Sequence, residues 1–223
     1  MPVYQGTELF EIYSCGFDLW TEHLLLKFLS QNLALKTLCF GNNIWLMFGK
    51  AVLRNFTLND VGQLLHCLIL EDWPINSSNC SILRDLLRKM ASTLTSLSLK
   101  GCLIDRNQNV LSEIVSGIAD CTSLQTLDLS GNSLGNYGTC FSGTFIKLTQ
   151  LNELSLRGNR LPTNVVVSIM KELLESSKQR GSRMKVLDVR GNKIIEEGHS
   201  VRKTIRNLQR SFVDRIICDQ DDK

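Results

Sequence analysis

Apolar residues along this chain fall into two spacings that alternate. The first follows the pattern Leu-x-x-Leu-x-Leu-x-x-Asn/Cys-x-Leu. Residues 124–134 read LQTLDLSGNSL, 151–161 read LNELSLRGNRL, 184–194 read MKVLDVRGNKI, and 94–104 read LTSLSLKGCLI with Cys102 in the asparagine slot. Three looser copies come earlier: LHCLILEDWPI at 65–75 with Trp73 in the slot, LKTLCFGNNIW at 35–45 with Asn43, and LFEIYSCGFDL at 9–19 with Phe17. The starts at 9, 35, 65, 94, 124, 151 and 184 are separated by 26, 30, 29, 30, 27 and 33 residues, a cadence that marks tandem units. Each Leu-x-Leu predicts a short strand with alternate side chains turned inward. Asn132, Asn159 and Asn192 are expected to stack as buried amides that satisfy backbone groups left unpaired where the chain turns off the strand. Trp73 and Phe17 cannot do this, so the early units must turn differently.

The second spacing is helical. Ile82, Leu83, Leu86, Leu87 and Met90 recur on one face. So do Val110, Leu111, Ile114, Val115 and Ile118. Val165, Val166, Ile169, Met170, Leu173 and Leu174 give a third face, and Val201, Thr204, Ile205 and Leu208 a last one. A strand followed by a helix at a period near 29 predicts an α/β fold: a leucine-rich-repeat solenoid, or horseshoe, of about seven repeats. Its parallel sheet lines the concave face and its helices the convex face. FVDRIIC, from Phe212 to Cys218, reads as a final edge strand, and charged Asp219 to Lys223 close the chain. Residues 1–223 are expected to be a single domain. Because the first unit begins at Leu9 without a polar cap, the domain is expected to be the C-terminal part of a longer protein, or a short isoform.

Composition sharpens this only slightly. With 43% hydrophobic and 21% charged residues, the chain is well away from disorder. No apolar run approaches the roughly 20 residues that span a bilayer, and no membrane partner is expected. Met1 to Glu11 lacks a basic stretch followed by an apolar run, so no secretory signal is read and the expected location is cytoplasmic, nuclear or both. In that setting the cysteines at 15, 39, 67, 80, 102, 121, 140 and 218 are expected to be reduced and mostly buried, and the lack of any CxxC pair argues against zinc. Asn55, Asn76 and Asn79 then head chance glycosylation sequons. The net charge of +3 is uneven: residues 1–120 carry 9 basic and 11 acidic groups, residues 121–223 carry 16 and 11.

Strand positions between the leucines should face solvent on the inner wall, the usual docking surface of a solenoid. The candidate protein-binding residues there are Tyr13, Ile69, Glu71, Asp72, Lys100, Asp128, Glu153, Arg157, Asp188 and Arg190. Trp45 and Trp73 are either exposed anchors or, the favoured alternative, turn-filling core residues. His199, Arg202, Lys203, Arg206 and Arg210, with Lys178, Arg180, Arg183 and Lys185 nearby, form a basic cluster. It reads as a solvated helix face, not a nucleic-acid site, since no aromatics interleave for base stacking. His23, His66 and His199 fall in different units, and no nucleophile elbow, Walker loop or HExxH is present. An enzyme, a cofactor and a small-molecule substrate are therefore not expected.

The repeat form resembles the ribonuclease-inhibitor-like superfamily across nearly the whole chain. Its C-terminal half is similar to the repeat region of the leucine-rich repeat-containing protein 41 family, and more distantly to the PRAME family. The segments that carry the likeness are Leu94 to Gly135, VVVSIMKELLESSKQRGSRMKVLDV and SVRKTIRNLQRSF. The resemblance implies a substrate-recognition or adaptor portion of an elongin–cullin ubiquitin ligase. The elongin-binding box of those relatives has a Leu, a Cys four residues on, then an aliphatic residue. Here Leu35 and Cys39 match, but Asn43 stands in the aliphatic position. Any elongin or cullin contact would thus run through sequence outside this chain. Two other functions fit the pattern: a direct protein inhibitor of an enzyme, although acidic, tryptophan-rich inner columns are largely missing, and the repeat domain of a larger sensor-type receptor.

Overall fold

The computed structural model describes residues 7–13, 24–25, 27–29, 31–32, 34–41, 54, 64–102, 107–181, 183–194, 203–207, 210 and 212–218. Among the described residues, eight strands stand in chain order in one sheet: β1 (Leu9–Tyr13), β2 (Thr37–Gly41), β3 (Cys67–Glu71), β4 (Ser96–Ser98), β5 (Thr126–Asp128), β6 (Glu153–Ser155), β7 (Met184–Asp188) and β8 (Val213–Ile217). Every neighbouring pair is parallel. The predicted helices appear as α1 (Cys80–Lys89), α2 (Gln108–Asp120) and α3 (Thr163–Arg180). Residues 203–207 are also helical, with Thr204 and Ile205 half-buried; Val201 and Leu208 lie outside the described residues.

The leucines of each repeat lie between sheet and helices. Leu68, Leu97, Leu127, Leu154 and Leu187 face each other in register and are 1% exposed or less. A single repeat buries such side chains on neither flank, so the core exists only because the repeats stack. Where α1 and α2 cross, Gly117 lies so close that an added Cβ would stand 3.1 Å from the Arg84 Cα. Ion pairs tie the same helices at the surface: Arg84 to Glu113, and Arg88 to Asp120 at 2.8 Å. The short stretch between β5 and β6 forms a 3-10 helix at Gly135–Phe141, and the rings of Phe141 and Phe145, tilted and 5.4 Å apart, are buried in the core.

The asparagines form the expected ladder. The Asn132 amide donates to the carbonyls of Leu99 and Leu129, both at 2.8 Å. Asn159 donates to Leu129 and Leu156, and Asn192 to Leu156 and Val189, all within 3.0 Å. Each amide therefore caps the end of its own strand and of the strand before. Two of their oxygens accept in turn: Asn132 N donates to Asn159 Oδ1, and Leu161 N to Asn192 Oδ1, whereas the Asn132 oxygen has no partner among the described residues. Cys102 keeps half of this, its thiol donating to Leu70 O at 3.0 Å. Trp73, in the same slot, is 6% exposed and belongs to the core, which settles the two alternatives for it; Trp45 and Phe17 lie outside the described residues.

The first repeat departs from the expected register. β1 pairs with β2 so that Phe10 stands beside Leu38 and Ile12 beside Phe40. Leu9, assigned above to a core position, points away and is 54% exposed. The ring of Phe10 packs against Phe28 at 5.3 Å and Phe40 at 6.2 Å, and this aromatic packing fixes the strand two residues from where the leucine pattern places it. At the other end, FVDRIIC does form the last strand. Ile216 pairs with Leu187, and Val213 with Met184, so β8 repeats the inward spacing of the others. Arg183 clamps it, donating to Asp214 Oδ1 at 2.6 Å and to Val213 O at 2.9 Å.

Asn159→Ala would orphan the buried Asn132 N–H and leave the Leu129 and Leu156 carbonyls one side-chain donor each, from Asn132 and Asn192, and should lower the unfolding free energy by about 2–3 kcal/mol in urea titration. Cys102→Ala, which removes one weak donor, should cost about 1 kcal/mol. Equal losses would mean the ladder is not what holds the turns. Arg183→Ala should speed amide hydrogen exchange in β8 while leaving β4–β6 unchanged.

Candidate interaction surface

Alternation along each strand turns three columns of side chains away from the helices. The first column runs Leu9, Thr37, Cys67, Ser96, Thr126, Glu153, Val186 and Arg215. The central one runs Glu11, Cys39, Ile69, Ser98, Asp128, Ser155, Asp188 and Ile217. A third begins Tyr13, Gly41 and Glu71, and continues past the strand ends through Lys100, Ser130, Arg157 and Arg190.

Nine of the ten candidate residues stand on these columns. Tyr13 does so one column over from the position that the leucine pattern implies, and Glu11 takes its place beside Cys39. Asp72 is the exception. It occupies the place that Gly101, Gly131, Gly158 and Gly191 hold in later repeats, and like them has a positive φ, 54°. Aspartate tolerates that conformation better than most residues. Its Oδ1 lies where a Gly101 Cβ would project, so Asp72 is part of the turn.

The charges divide into committed and free. The Asp188 carboxylate accepts from Arg190 Nη2 at 2.8 Å, Nε at 3.1 Å and the Arg190 backbone N–H at 3.1 Å. Burial pushes its carboxyl up, but these hydrogen bonds and the charges of Arg190 and Arg157 outweigh burial and hold it below the usual carboxylate range. Asp128 accepts from Ser130 N at 2.8 Å. Lys100 is 3.8 Å from Glu71, a loose exposed pair. Glu153 and Arg157 form no ion pair among the described residues, and Arg157 is exposed.

The N-terminal end of the face is less polar. The Tyr13 ring covers Gly41, where an added Cβ would stand 2.4 Å from the ring. Its hydroxyl donates to Cys39, and desolvation together with Cys39 pushes the phenol up to about 12. Tyr13 nevertheless stays 46% exposed, because only the side of the ring turned to the sheet is covered. Two strands away on β3, Ile69 and Cys67 are half-buried.

The other sequence candidates scatter. His66 is exposed and its Nδ1–H donates to Leu64 O at 2.7 Å; His23 and His199 lie outside the described residues. Of the C-terminal basic cluster, Lys203, Arg206 and Arg210 are exposed, while Arg202 lies outside the described residues. Cys39, Cys80, Cys102 and Cys121 are buried free thiols, and Cys67, Cys140 and Cys218 half-buried ones. Among the described residues, no group of three or more His, Cys, Asp or Glu is placed to hold a metal ion, and no helix is long and apolar enough to cross a membrane.

A family model for the leucine-rich repeat matches residues 123–146, the segment that carries Asn132 and the start of its ladder. The fold is a leucine-rich-repeat solenoid. No curated protein matches the sequence of this solenoid. Among solved structures, internalin C2 from Listeria monocytogenes aligns with 86% of this chain and 83% of its own length, at 17% identity and a TM-score of 0.38.

Burial pushes the thiols of Cys39, Cys102 and Cys121 each up to about 12. In the unfolded chain they titrate near 9. Below that pH both states hold the proton and the contribution is constant. Between about 9 and 12 only the unfolded chain releases protons, so stability must fall as pH rises. Denaturation at pH 8, 9.5 and 10.5 should show this decline, with a shallower slope in Cys121→Ala. A stability independent of pH over that span would contradict the burial of these thiols.

Proposed function

We propose that this solenoid is a protein-binding module that docks its partner on the inner sheet face, and that within a longer protein it serves as the substrate-recognition portion of an elongin–cullin-type ubiquitin ligase. The observation that carries the first part is the face itself. Eight parallel strands present three side-chain columns that no described helix covers, with an apolar end at Tyr13 and Ile69 and free charges at Glu153 and Arg157. A surface of this kind offers aromatic and aliphatic contact at one end and charge at the other, the mixture from which protein interfaces draw affinity and orientation.

The ligase role rests on the resemblance of the C-terminal repeats to substrate receptors. In this chain Leu35 and Cys39 are both 0% exposed and form part of the second repeat, so they are not free to act as an elongin hook. The adaptor reading therefore requires recruitment through sequence outside the chain.

The test is a paired capture experiment. A longer form should bring down elongin and cullin together with a substrate, and the present chain should bring down the substrate alone. Arg157→Glu with Glu153→Lys should weaken substrate capture at least about tenfold, while Arg88→Glu on the helix side leaves it unchanged. Longer forms that never recover elongin or cullin would remove the ligase role. Capture that is indifferent to both inner-face substitutions would remove the inner face as the docking surface.

A further inference from the structure

The turns that follow the ladder asparagines meet on one rim of the solenoid and line an open cavity of about 500 Å3. Three consecutive repeats build its wall: Ser133 and Tyr137 from one, Arg160 and Pro162 from the next, Lys193 from the third. Ser133, Arg160 and Lys193 hold equivalent places, each directly after its ladder asparagine. Stacked repeats set such positions roughly 5 Å apart, so the two cations stand as neighbours. Both are exposed, and neither has a carboxylate partner among the described residues.

The root of the arginine is held in an uncommon conformation. Arg160 has a φ of 56°, in the left-handed region that residues with a Cβ adopt only where surroundings enforce it. Enforcement is visible on its C-terminal side: Leu161 N donates to Asn192 Oδ1 at 2.9 Å and Lys193 N to Leu161 O at 2.9 Å. The same bonds tie the Lys193 turn to the Arg160 turn. Opposite them, Tyr137 is 39% exposed and offers a flat apolar wall.

We propose that this rim cavity binds a phosphomonoester carried on a flat or apolar stem, with the phosphate between Arg160 and Lys193 and the stem against Tyr137 and Pro162. A phosphomonoester carries roughly −1.5 to −2 charge, which matches two uncommitted cations better than one carboxylate does. Arginine supplies a planar fork for its oxygens and lysine a point charge. The volume falls within the roughly 300–1,000 Å3 of small-ligand sites and exceeds what bare phosphate fills, so a stem is needed. Such a group could arrive on a phosphorylated side chain of a protein or on a free phosphorylated small molecule.

The experiment is an amide-shift titration of the full chain, labelled with nitrogen-15, against phenyl phosphate. Saturable shifts at Gly135, Tyr137 and Lys193 are expected, with inorganic phosphate binding at least about fivefold more weakly. Arg160→Asn with Lys193→Gln should weaken phenyl phosphate at least about tenfold; asparagine suits the left-handed backbone, so the turn survives. Arg88→Gln, on the helix side, should change nothing. Shifts that do not saturate, or saturate equally in the double variant, overturn the site. A phosphotyrosine tripeptide and adenosine monophosphate then separate the two sources: the tighter one identifies the carrier, and both must lose affinity in the double variant.

Discussion

A strand that ends inside a packed protein leaves carbonyls with no ladder to join, and this chain depends on how that deficit is met. The hydrophobic contribution of the leucines is large but non-directional, and it would tolerate many offsets between repeats. The asparagine amide is directional. Each one needs two carbonyls, one from its own repeat and one from the repeat before, so it fixes the vertical offset of the stack as well as the end of the strand. An unmet buried carbonyl costs roughly 1–3 kcal/mol, so the ladder penalises slippage that the leucines alone would allow. The parallel sheet, the in-register leucines and the flat columns of the inner face all follow from that offset being repeated.

The same dependence explains the gradient along the chain. Asn132, Asn159 and Asn192 each donate to two strand-end carbonyls, Cys102 donates to one, and Trp73 fills the slot with bulk. In the first two repeats the slot residues Phe17 and Asn43 lie outside the described residues, and the described contacts there include the ring packing of Phe10, Phe28 and Phe40.

This is also why the C-terminal half was readable from sequence and the first repeat was not. Where asparagine, glycine and leucine all occur, three independent signals agree and the strand falls where expected. In the first repeat only residue type was available. Leu9 has the right type and Thr7 the wrong one, yet the pairing of Phe10 with Leu38 decides the register, and a pattern read within one repeat cannot see its neighbour. Asp72 hides for a related reason: it performs a glycine's task, which shows only in its positive φ. The segment GNYGTCF carries no period at all, and the 3-10 helix it forms ends on Phe141, whose ring packs against Phe145. Glu172, reaching from α3, anchors the turn after that helix by accepting from Gly143 N at 2.7 Å and Phe145 N at 3.2 Å, a long-range contact with no local signature. The pattern likewise located the inner face but could not separate its working charges from its structural ones.

That separation decides what the face can offer a partner. Asp188 and Arg190 are already satisfied by each other, so a partner approaching them would have to desolvate a neutralised pair and gain little Coulomb energy in return. Lys100 spends only a loose contact on Glu71, while half-buried Glu153 and exposed Arg157 have no ionic partner among the described residues. Exposed charges of this sort contribute more to steering and orientation than to tightness. Burial of apolar surface is the larger reservoir, at about 25 cal/mol per Å2, and on this face it lies at the other end, around Tyr13 and Ile69. A partner that used both would have to span most of the sheet. Stacking places neighbouring strands roughly 4.8 Å apart, so the distance from Tyr13 on β1 to Arg157 beyond β6 is five strand spacings, about 24 Å. A short peptide lying across one or two strands would meet only one of these characters. The geometry of the face therefore favours a folded domain, or an extended segment running across the strands, over a compact small ligand.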